Sequence, residues 1–346
     1  MLESITDKVS AQTVGAKSCG DWFYQRSSCP ICEGRDFSEK YSRSYSAPEL
    51  TRYIFDFYSE QGSLDFKKLV NSNFVLAECR DCTCLFQVNI PNEKFMLEIY
   101  EKWLDPEKTF KIFESERPLE HSFWHLQGLY KLLSLPGKPP THLKIFDFGM
   151  GWGNWLALCR SLGCEVFGSE LSPFRKNYAV SRGIHALDYS EINRHQFDII
   201  NLDQVLEHVA NPKEILDYLK TCLSPGGVIR IGVPNGNDIS YRMELMDWTA
   251  DKKSPNSLNA IAPLEHINCF NGFALQKLIE LCGLKRVYPN EYPKCEILNE
   301  PPHIPYPTQR IKIALKDIAR PFWRKLFPLK AKSRENQDTD IIVVPK

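Results

Sequence analysis

The sequence predicts an α/β protein in which an open parallel sheet is covered by helices on both faces and is preceded by a small cysteine-rich domain. Three observations lead to this prediction. From residue 143 onward, short apolar runs alternate with segments of helical periodicity. A turn that contains three glycines, residues 149–153, joins the first apolar run to the first helix. Two Cys-x-x-Cys pairs lie in the N-terminal third of the chain.

The stretch FDFGMGWGNW, residues 146–155, predicts a strand, a glycine loop and a helix in that order. Glycine on alternate positions allows a ligand to approach the main chain closely, and the N–H groups of such a loop favour a carboxylate or a phosphate. The dinucleotide fingerprint G-x-G-x-x-G places its last glycine where this chain has Asn154. The motif here is instead a D-x-G-x-G-x-G series, formed by Asp147, Gly149, Gly151 and Gly153.

The elements downstream continue to alternate. The sequence predicts a second strand that ends near Glu170, a fourth strand from Phe197 that runs into a loop, and a helix over residues 212–223. A fifth strand follows within residues 224–234, and a helix over residues 272–284. Ligands of open α/β sheets bind beyond the carboxyl ends of the strands, so polar residues at these ends should share one rim. They are Glu170, Asp203, Gln204, His208 and Asn235.

The glycine series with Glu170 about 20 residues later resembles the S-adenosylmethionine (SAM) site of class I methyltransferases, which have a Rossmann-like sheet. The likeness continues through FDIINLDQVLEHV, LSPGGVIRIGVPN and LEHINCFNGFALQKLIELCGL, and covers residues 144–287. These segments are similar to methyltransferases that modify small molecules and glycans. The resemblance implies that SAM is the co-substrate and that Glu170 holds the ribose hydroxyls. It also implies that Asp203 and Gln204 line the adenosyl pocket.

Two histidines near the predicted rim are the candidate general bases. His208 follows the fourth strand in the run LEHV, and His266 follows Glu265 in the segment after the fifth strand. Methyl transfer is an in-line displacement that depends mainly on positioning, and it needs a base if the acceptor is a hydroxyl or a carbon acid. Glu265 or Glu207 would orient the histidines. For each histidine, a structural hydrogen bond or a contact with the acceptor remains open as the alternative to catalysis.

The two knuckles, CPIC and CRDC, predict a structural zinc site. Their cysteines are Cys29, Cys32, Cys79 and Cys82. Four thiolates in tetrahedral geometry close such a site and leave no open position for catalysis. Ordinary buried cysteines are the alternative, since the chain contains 12, and Cys84 is a further candidate ligand. Zinc ribbons usually have glycine after the second cysteine of each knuckle, where this chain has Glu33 and Thr83.

A zinc ribbon ahead of this methyltransferase pattern resembles a bacterial group that includes the sugar C-methyltransferases, and residues 82–103 continue the likeness. Those enzymes carry a further C-terminal domain that helps to hold the nucleotide sugar, and this sequence ends before such a domain. We therefore expect O- or C-methylation of another small molecule or of a glycan, in polysaccharide or natural-product biosynthesis. The predicted domains are an N-terminal extension (1–27), a zinc ribbon (28–92), a helical linker (93–139) and the methyltransferase domain (140–346).

The composition argues against a nucleic-acid partner, because 43 lysines and arginines balance 43 aspartates and glutamates. An RNA methyltransferase that binds through the ribbon is the rival function. Enzymes that methylate base amino groups typically use an Asn/Asp-Pro-Pro-aromatic loop after strand four, and DQVL at residues 203–206 is unlike it. A non-catalytic SAM-binding scaffold is another alternative. We find no signal peptide in residues 1–20 and no long apolar run, so we expect a cytoplasmic protein.

The C-terminal region contains a basic segment, residues 309–334, inside a predicted insertion at about 300–336. Apolar residues recur there at helical spacing beside nine basic residues and one acid. A helix of this kind can lie on an anionic membrane, which would place the protein peripherally at the inner membrane face. The alternative is a helix that packs on its own domain. By the resemblance, residues 340–344 form a last strand that inserts antiparallel beside the fifth.

Overall fold

The structure is a computed structural model that describes residues 17–18, 21–115, 128–252, 254–288, 291 and 339–346. The predicted insertion at 300–336, with its basic segment 309–334, lies outside the described residues. Within the described part of the chain, every helix is too short or too polar to span a bilayer.

The secondary structure alternates in the C-terminal two thirds of the chain and is richer in strands before it. The strands are β1 (Lys17–Ser18), β2 (Phe23–Gln25), β3 (Phe37–Ser44), β4 (Asn73–Cys79), β5 (Leu85–Gln87), β6 (Asn89–Pro91), β7 (Lys144–Phe148), β8 (Glu165–Ser169), β9 (His185–Ala186), β10 (Phe197–Asp203), β11 (Leu223–Gly232), β12 (Asn268–Cys269), β13 (Leu284–Val287) and β14 (Asp340–Pro345). The helices are α1 (Pro48–Tyr58), α2 (Glu93–Glu98), α3 (Pro106–Ser115), α4 (Asn154–Ser161), α5 (Pro173–Ser181), α6 (Tyr189–Ile192), α7 (Pro212–Lys220), α8 (Ile239–Leu245) and α9 (Gly272–Leu281). A π-helical turn, Ile99–Trp103, continues α2.

A seven-stranded sheet has the order β13–β14–β11–β10–β7–β8–β9. The five strands from β11 to β9 in this order pair in parallel. Strand β14 lies antiparallel to both β11 and β13, with Ile341 opposite Ile231. The predicted fold class is confirmed, and so is the last strand beside the fifth strand of this sheet.

Helices cover both faces of this sheet, as the alternation of side chains along β7 requires. Ile145 packs in one buried cluster with Leu156 of α4, whereas its neighbour Phe146 packs in another with Leu216 of α7 and Leu278 of α9. Each helix therefore buries one apolar stripe against the sheet. This arrangement places the turns that follow β7, β8 and β10 together at the carboxyl edge.

The cysteine-rich region, residues 21–91, shares its sheet and its core with the rest of the chain. Strands β3, β4 and β5 form a four-stranded sheet with β12. Strand β12 comes from the segment between β11 and α9. Phe86 of β5 lies in the same buried cluster as Leu275 of α9. Strand β2, from the predicted N-terminal extension, pairs with β6. The segment around His266 is thus built onto the cysteine-rich sheet.

Candidate functional site

The glycine loop lies between β7 and α4. Gly149, Gly151 and Gly153 have φ values of 76°, 53° and 68°, which glycine adopts without strain. A Cβ atom on Gly153 would lie 2.4 Å from Ile184 Cδ1, and one on Gly149 would lie 2.9 Å from Val205 Cγ2. A Cβ atom on Gly151 would meet no described atom within 4 Å. Packing therefore favours glycine at the two outer positions, whereas Gly151 faces open space.

Glu170 touches this loop from the end of β8. Its Oε2 atom accepts the backbone N–H of Gly151 at 2.9 Å, and its Oε1 atom accepts the backbone N–H of Ser172 at 2.9 Å. The tertiary structure thus brings together two elements of the predicted cofactor site, the glycine loop and Glu170, which form the cofactor edge of the sheet. A carboxylate oriented by two backbone donors is well placed to receive hydroxyl groups of a bound ligand.

Asp147 is buried beneath the loop and is not a freely charged group. Asn201 donates a 2.7 Å hydrogen bond to its Oδ1 atom. Burial raises the pKa of Asp147 to about 7, although the hydrogen bond from Asn201 opposes the increase. Arg230 in turn donates to Asn201 Oδ1 at 2.9 Å. A ligand that carries a positive charge would stabilise the ionised form of Asp147.

The other two predicted pocket residues lie at the end of β10. Asp203 forms an ion pair of 3.0 Å with Arg230, and its side chain is partly buried. Gln204 is exposed, has a φ of 58° and donates its backbone N–H to Gly232. Sequence reasoning missed Asn201 and Arg230. Their signal was a polar side chain inside a strand predicted to be buried, since such a group requires a partner.

His208 and His266 lie against each other, with ring centroids 4.9 Å apart and the planes nearly perpendicular. Nδ1 of His266 contacts the carbonyl oxygen of Asn259, and Nδ1 of His208 lies 3.2 Å from the hydroxyl of Tyr100. A carbonyl can only accept, so the His266 proton belongs on Nδ1 and its Nε2 atom keeps a lone pair. The two predicted bases are thus neighbours, and each has one nitrogen held by the protein.

Two carboxyl groups accompany the histidines. Glu207 is fully buried, and neither of its oxygens has a hydrogen-bond partner among the described residues. Its Oε1 atom lies 3.7 Å from His208 Nε2. Donor atoms of Glu207, His208 and His266 all lie within 4.8 Å of one another, a set that could hold a divalent cation. Glu265 is buried beside His266 in sequence and interacts with Tyr58.

Burial controls the charge of this cluster. It lowers the pKa of His208 to about 3, with a further contribution from His266, and it lowers the pKa of His266 to about 4. Burial also raises the pKa of Glu207 to about 8 and that of Glu265 to about 7. Removal from water disfavours the charged form of each group. Both histidines are therefore neutral at physiological pH and offer lone pairs to a ligand.

Tyr100 contacts His208 through its hydroxyl group, and sequence reasoning missed this residue. It lies in the π-helical turn after α2, a distortion that is frequent at functional sites. Burial raises the pKa of Tyr100 well above its ordinary value, and the charges of Glu265, Glu170 and Glu207 raise it further. The charges of carboxylates from both predicted subsites thus act on its hydroxyl group. The only signal in the sequence was its place in an aromatic-rich helix.

The four knuckle cysteines come together as the zinc prediction requires. Cys29 Sγ lies 3.4 Å from Cys82 Sγ, and Cys32 Sγ lies 3.4 Å from Cys79 Sγ. All four sulfur atoms lie within 4.8 Å of one another, and the cysteines are free thiols. Sulfur atoms on a tetrahedral zinc ion are about 3.8 Å apart, given Zn–S bonds of about 2.3 Å. The set fits zinc, and these residues would hold it as a structural ion. The thiol of Cys84 instead donates weakly to the carbonyls of Leu85 and Cys269.

Glu33 and Thr83 adopt the backbone conformation for which glycine is usual in zinc ribbons. Their φ values are 61° and 55°. The N–H of Glu33 donates to Cys29 O and that of Thr83 to Cys79 O, each at 3.0 Å. The knuckle turns are therefore formed despite the side chains, at a cost of about 1–2 kcal/mol for each left-handed residue.

Comparison with known proteins agrees with this geometry. Residues 124–288 match a methyltransferase domain. Relatives named ubiquinone biosynthesis O-methyltransferase include one from Leptothrix cholodnii, 25% identical over 161 residues, and one from Cereibacter sphaeroides, 28% identical over 163 residues. These matches cover 43% and 42% of this chain and 65% of each relative. The matched region thus spans less than two thirds of the length of these relatives.

Solved structures of methyltransferases also align with the chain. The plantazolicin methyltransferase BpumL, in complex with a pentazolic desmethylPZN analogue and SAH, is 16% identical with a TM-score of 0.38, covering 56% of this chain and 77% of its own. A SAM-dependent methyltransferase from Aquifex aeolicus is 18% identical with a TM-score of 0.35, covering 53% and 90%. The strand order of the seven-stranded sheet and the matched domain support the methyltransferase fold.

Proposed function

We propose that this protein transfers the methyl group of SAM to a hydroxyl group or a carbon acid of a small molecule or a glycan. The observation that carries the proposal is the position of Tyr100. Its hydroxyl contacts His208 at 3.2 Å, and His208 follows β10, which pairs in parallel with β7, the strand that leads into the glycine loop. A methyl donor on the glycine loop and an acceptor on the histidines would therefore meet beside Tyr100.

The cofactor would lie over the open space at Gly151, with its ribose hydroxyls on Glu170. SAM carries a sulfonium and an ammonium group, both positive, and the carboxyl group of Asp147 at the end of β7 is the charge that would complement them. The loop N–H groups suit its carboxylate. Charge complementarity thus supports SAM as the ligand of this edge.

The chemical step needs little covalent help from the protein. The acceptor oxygen or carbon attacks the methyl carbon, the bond from sulfur to methyl breaks, and S-adenosylhomocysteine (SAH) leaves with the electron pair. The acceptor proton passes to a neutral histidine, for which Nε2 of His266 has the free lone pair. Glu265 is buried next to it and would orient the acceptor or the ring. The residues mainly position the reactants and exclude water.

The names of the relatives favour oxygen as the methylated atom. Because the match spans less than two thirds of those proteins, the acceptor is proposed from chemistry alone: a small molecule or glycan whose hydroxyl or acidic C–H can reach His266. Zinc on the four cysteines is the second cofactor of the proposal, as a structural ion supported by the sulfur geometry.

The test is SAH formation from SAM with panels of phenols, nucleotide sugars and lipid-linked sugars, with the methylated product identified by mass spectrometry. We expect turnover with one panel, and His266→Asn should lower it by about 10²- to 10⁴-fold, the usual contribution of a general base. His185→Asn is the matched control, since that histidine is exposed on β9. A protein that binds SAH but turns over no panel would contradict the proposal, and turnover of RNA would favour the rival function.

A further inference from the structure

The segment that carries His266 is held by a residue of the cysteine-rich sheet. Gln87, at the end of β5, is fully buried. Its side-chain amide donates to the carbonyl oxygen of His266 at 3.0 Å and to that of Ala262 at 3.1 Å. Its backbone N–H donates to Ile267 O at 3.0 Å. One side chain therefore fixes the main chain on both sides of Glu265.

The turn that carries Glu207 and His208 is held by Asn268, which is itself held by Arg26. Asn268 is fully buried and donates its side-chain amide to Leu206 O at 2.8 Å and to Val209 O at 2.7 Å, on either side of that pair. Arg26 in turn donates to Asn268 Oδ1 at 2.9 Å. The same guanidinium donates to the carbonyls of Ile267 and Ala210, each at 3.0 Å.

These contacts connect the cysteine-rich region to both histidines and to no described residue of the glycine loop. A buried arginine is costly to desolvate, and apolar packing would stabilise the same interface at lower cost. The guanidinium does what an apolar side chain cannot do, because its planar donors hold two segments at defined angles. Arg26, which follows β2, is therefore better explained as a residue that orients the two histidine segments than as one that stabilises the fold.

We infer that Gln87 and Arg26 are positioning residues for the acceptor step: through them the cysteine-rich region sets the relative placement of His208 and His266, while the cofactor edge is independent of it. The inference rests on the proposed function. Reacting groups misplaced by about 1 Å can lose about 100-fold in rate. The hydrogen bonds of Gln87 and Arg26 to the histidine segments form a seam between these parts of the chain. Variants that lack these bonds should lower acceptor turnover much more than they change SAM binding.

The experiment compares Gln87→Met, Arg26→Met and Arg26→Lys in the full, zinc-containing chain. We expect kcat to fall by at least about tenfold in the two methionine variants, while the dissociation constant for SAH stays within about threefold. Arg26→Lys should recover part of kcat, because an ammonium group can still donate to one or two of the carbonyls. Asn271→Ala is the matched control, since the side-chain hydrogen bonds of Asn271 to described residues join Thr83 of the cysteine-rich region to Ala274 of α9.

A second readout does not need an acceptor. In ¹⁵N spectra of SAH-bound protein, the Nδ1 signal of His266 should shift in Gln87→Met and stay in place in Asn271→Ala. If Gln87→Met and Arg26→Met keep both kcat and the histidine signal, the inference is wrong. It is also wrong if SAH affinity falls in parallel with kcat. Should the wild type prove inactive on every acceptor, the proposed function fails, and the histidine signal alone decides whether the seam positions His266.

Discussion

The backbone N–H of Gly151 donates a 2.9 Å hydrogen bond to Glu170, so that the glycine loop after β7 is joined to the end of β8. The bond crosses from one parallel strand to its neighbour and defines the floor of the candidate cofactor site. A Cβ atom on Gly151 would meet no described atom within 4 Å, so a side chain there would extend into open space.

Gly151→Val should abolish SAH binding, because a branched side chain would occupy the open space above the loop. We expect the affinity to fall by at least about 100-fold, more than the loss of one hydrogen bond between neutral groups would cause. Gly226→Val is the matched control: Gly226 also has a positive φ of 78° and open described surroundings, but it lies outside the site. Calorimetric titration of both folded variants with SAH is the measurement. Equal SAH affinities of the Gly151→Val and Gly226→Val variants would show that the glycine loop is not part of the site.

Glu170→Ala should weaken SAH binding by about 2–4 kcal/mol, the range for charged hydrogen bonds in a buried site. This corresponds to about 30- to 1000-fold in dissociation constant. Glu165→Ala is the control, since Glu165 begins the same strand at the opposite edge of the sheet and is exposed. A change smaller than about threefold in the Glu170 variant would refute its role in holding the ribose.

Asp147 should make stability fall as pH rises. Burial raises its pKa to about 7 from an ordinary value of 3.8, so between these limits the folded chain keeps a proton that the unfolded chain has lost. Asp147 by itself should therefore lower the free energy of unfolding from about pH 4 to pH 7, by an amount on the order of a few kcal/mol. Asp147→Asn should remove this contribution, leaving those of Glu207 and Glu265, and be more stable than wild type at pH 8. Urea unfolding at pH 5 and pH 8 measures both, and identical pH trends would contradict the assignment.

SAM binding should respond to the same group with the opposite sign. A cationic ligand favours the ionised carboxylate, so SAM affinity should increase as pH rises through about 7 in the wild type. Asp147→Asn should bind SAM more weakly at pH 8 and show little change with pH. Titrations at several pH values in buffers of equal ionic strength test this. An affinity that is constant from pH 6 to pH 8 in the wild type would show that Asp147 does not contact the charged ligand.

Purified protein should contain one equivalent of zinc per chain, held by the four knuckle cysteines. Cys79→Ser should lose the metal and destabilise the sheet that carries β12 and His266, because a structural zinc contributes folding free energy directly. Cys84→Ser is the matched control, since its sulfur donates to carbonyl groups and lies outside the set of four. Elemental analysis of both variants decides the ligand set. Full zinc content in Cys79→Ser would show that the set is wrong.

Local patterns in the sequence were sufficient to predict the sheet and much of the candidate site. The alternation of apolar runs predicted strands β7, β10 and β11 and helices α4, α7 and α9, because burial imposes a period on each element. The glycine series and Glu170 were recognisable because a ligand-binding loop needs particular residues at short, constant spacings. The two knuckles were recognisable for the same reason. The positions of His208 and His266 in the sequence did not, however, show that their rings touch.

Only the tertiary structure decided how the histidines are held and what lies beside them. Tyr100 meets His208 across 108 positions of sequence, Gln87 meets His266 across 179, and Arg26 meets Asn268 across 242. Each of these side chains is a single polar group whose partner lies on another element, so it leaves no periodic or spaced pattern in the chain. Their partners are determined by which segments pack together, as β12 does on the cysteine-rich sheet. The chain's local chemistry thus determined the cofactor edge, whereas the acceptor side depends on long-range packing that brings separate buried polar groups within hydrogen-bond distance.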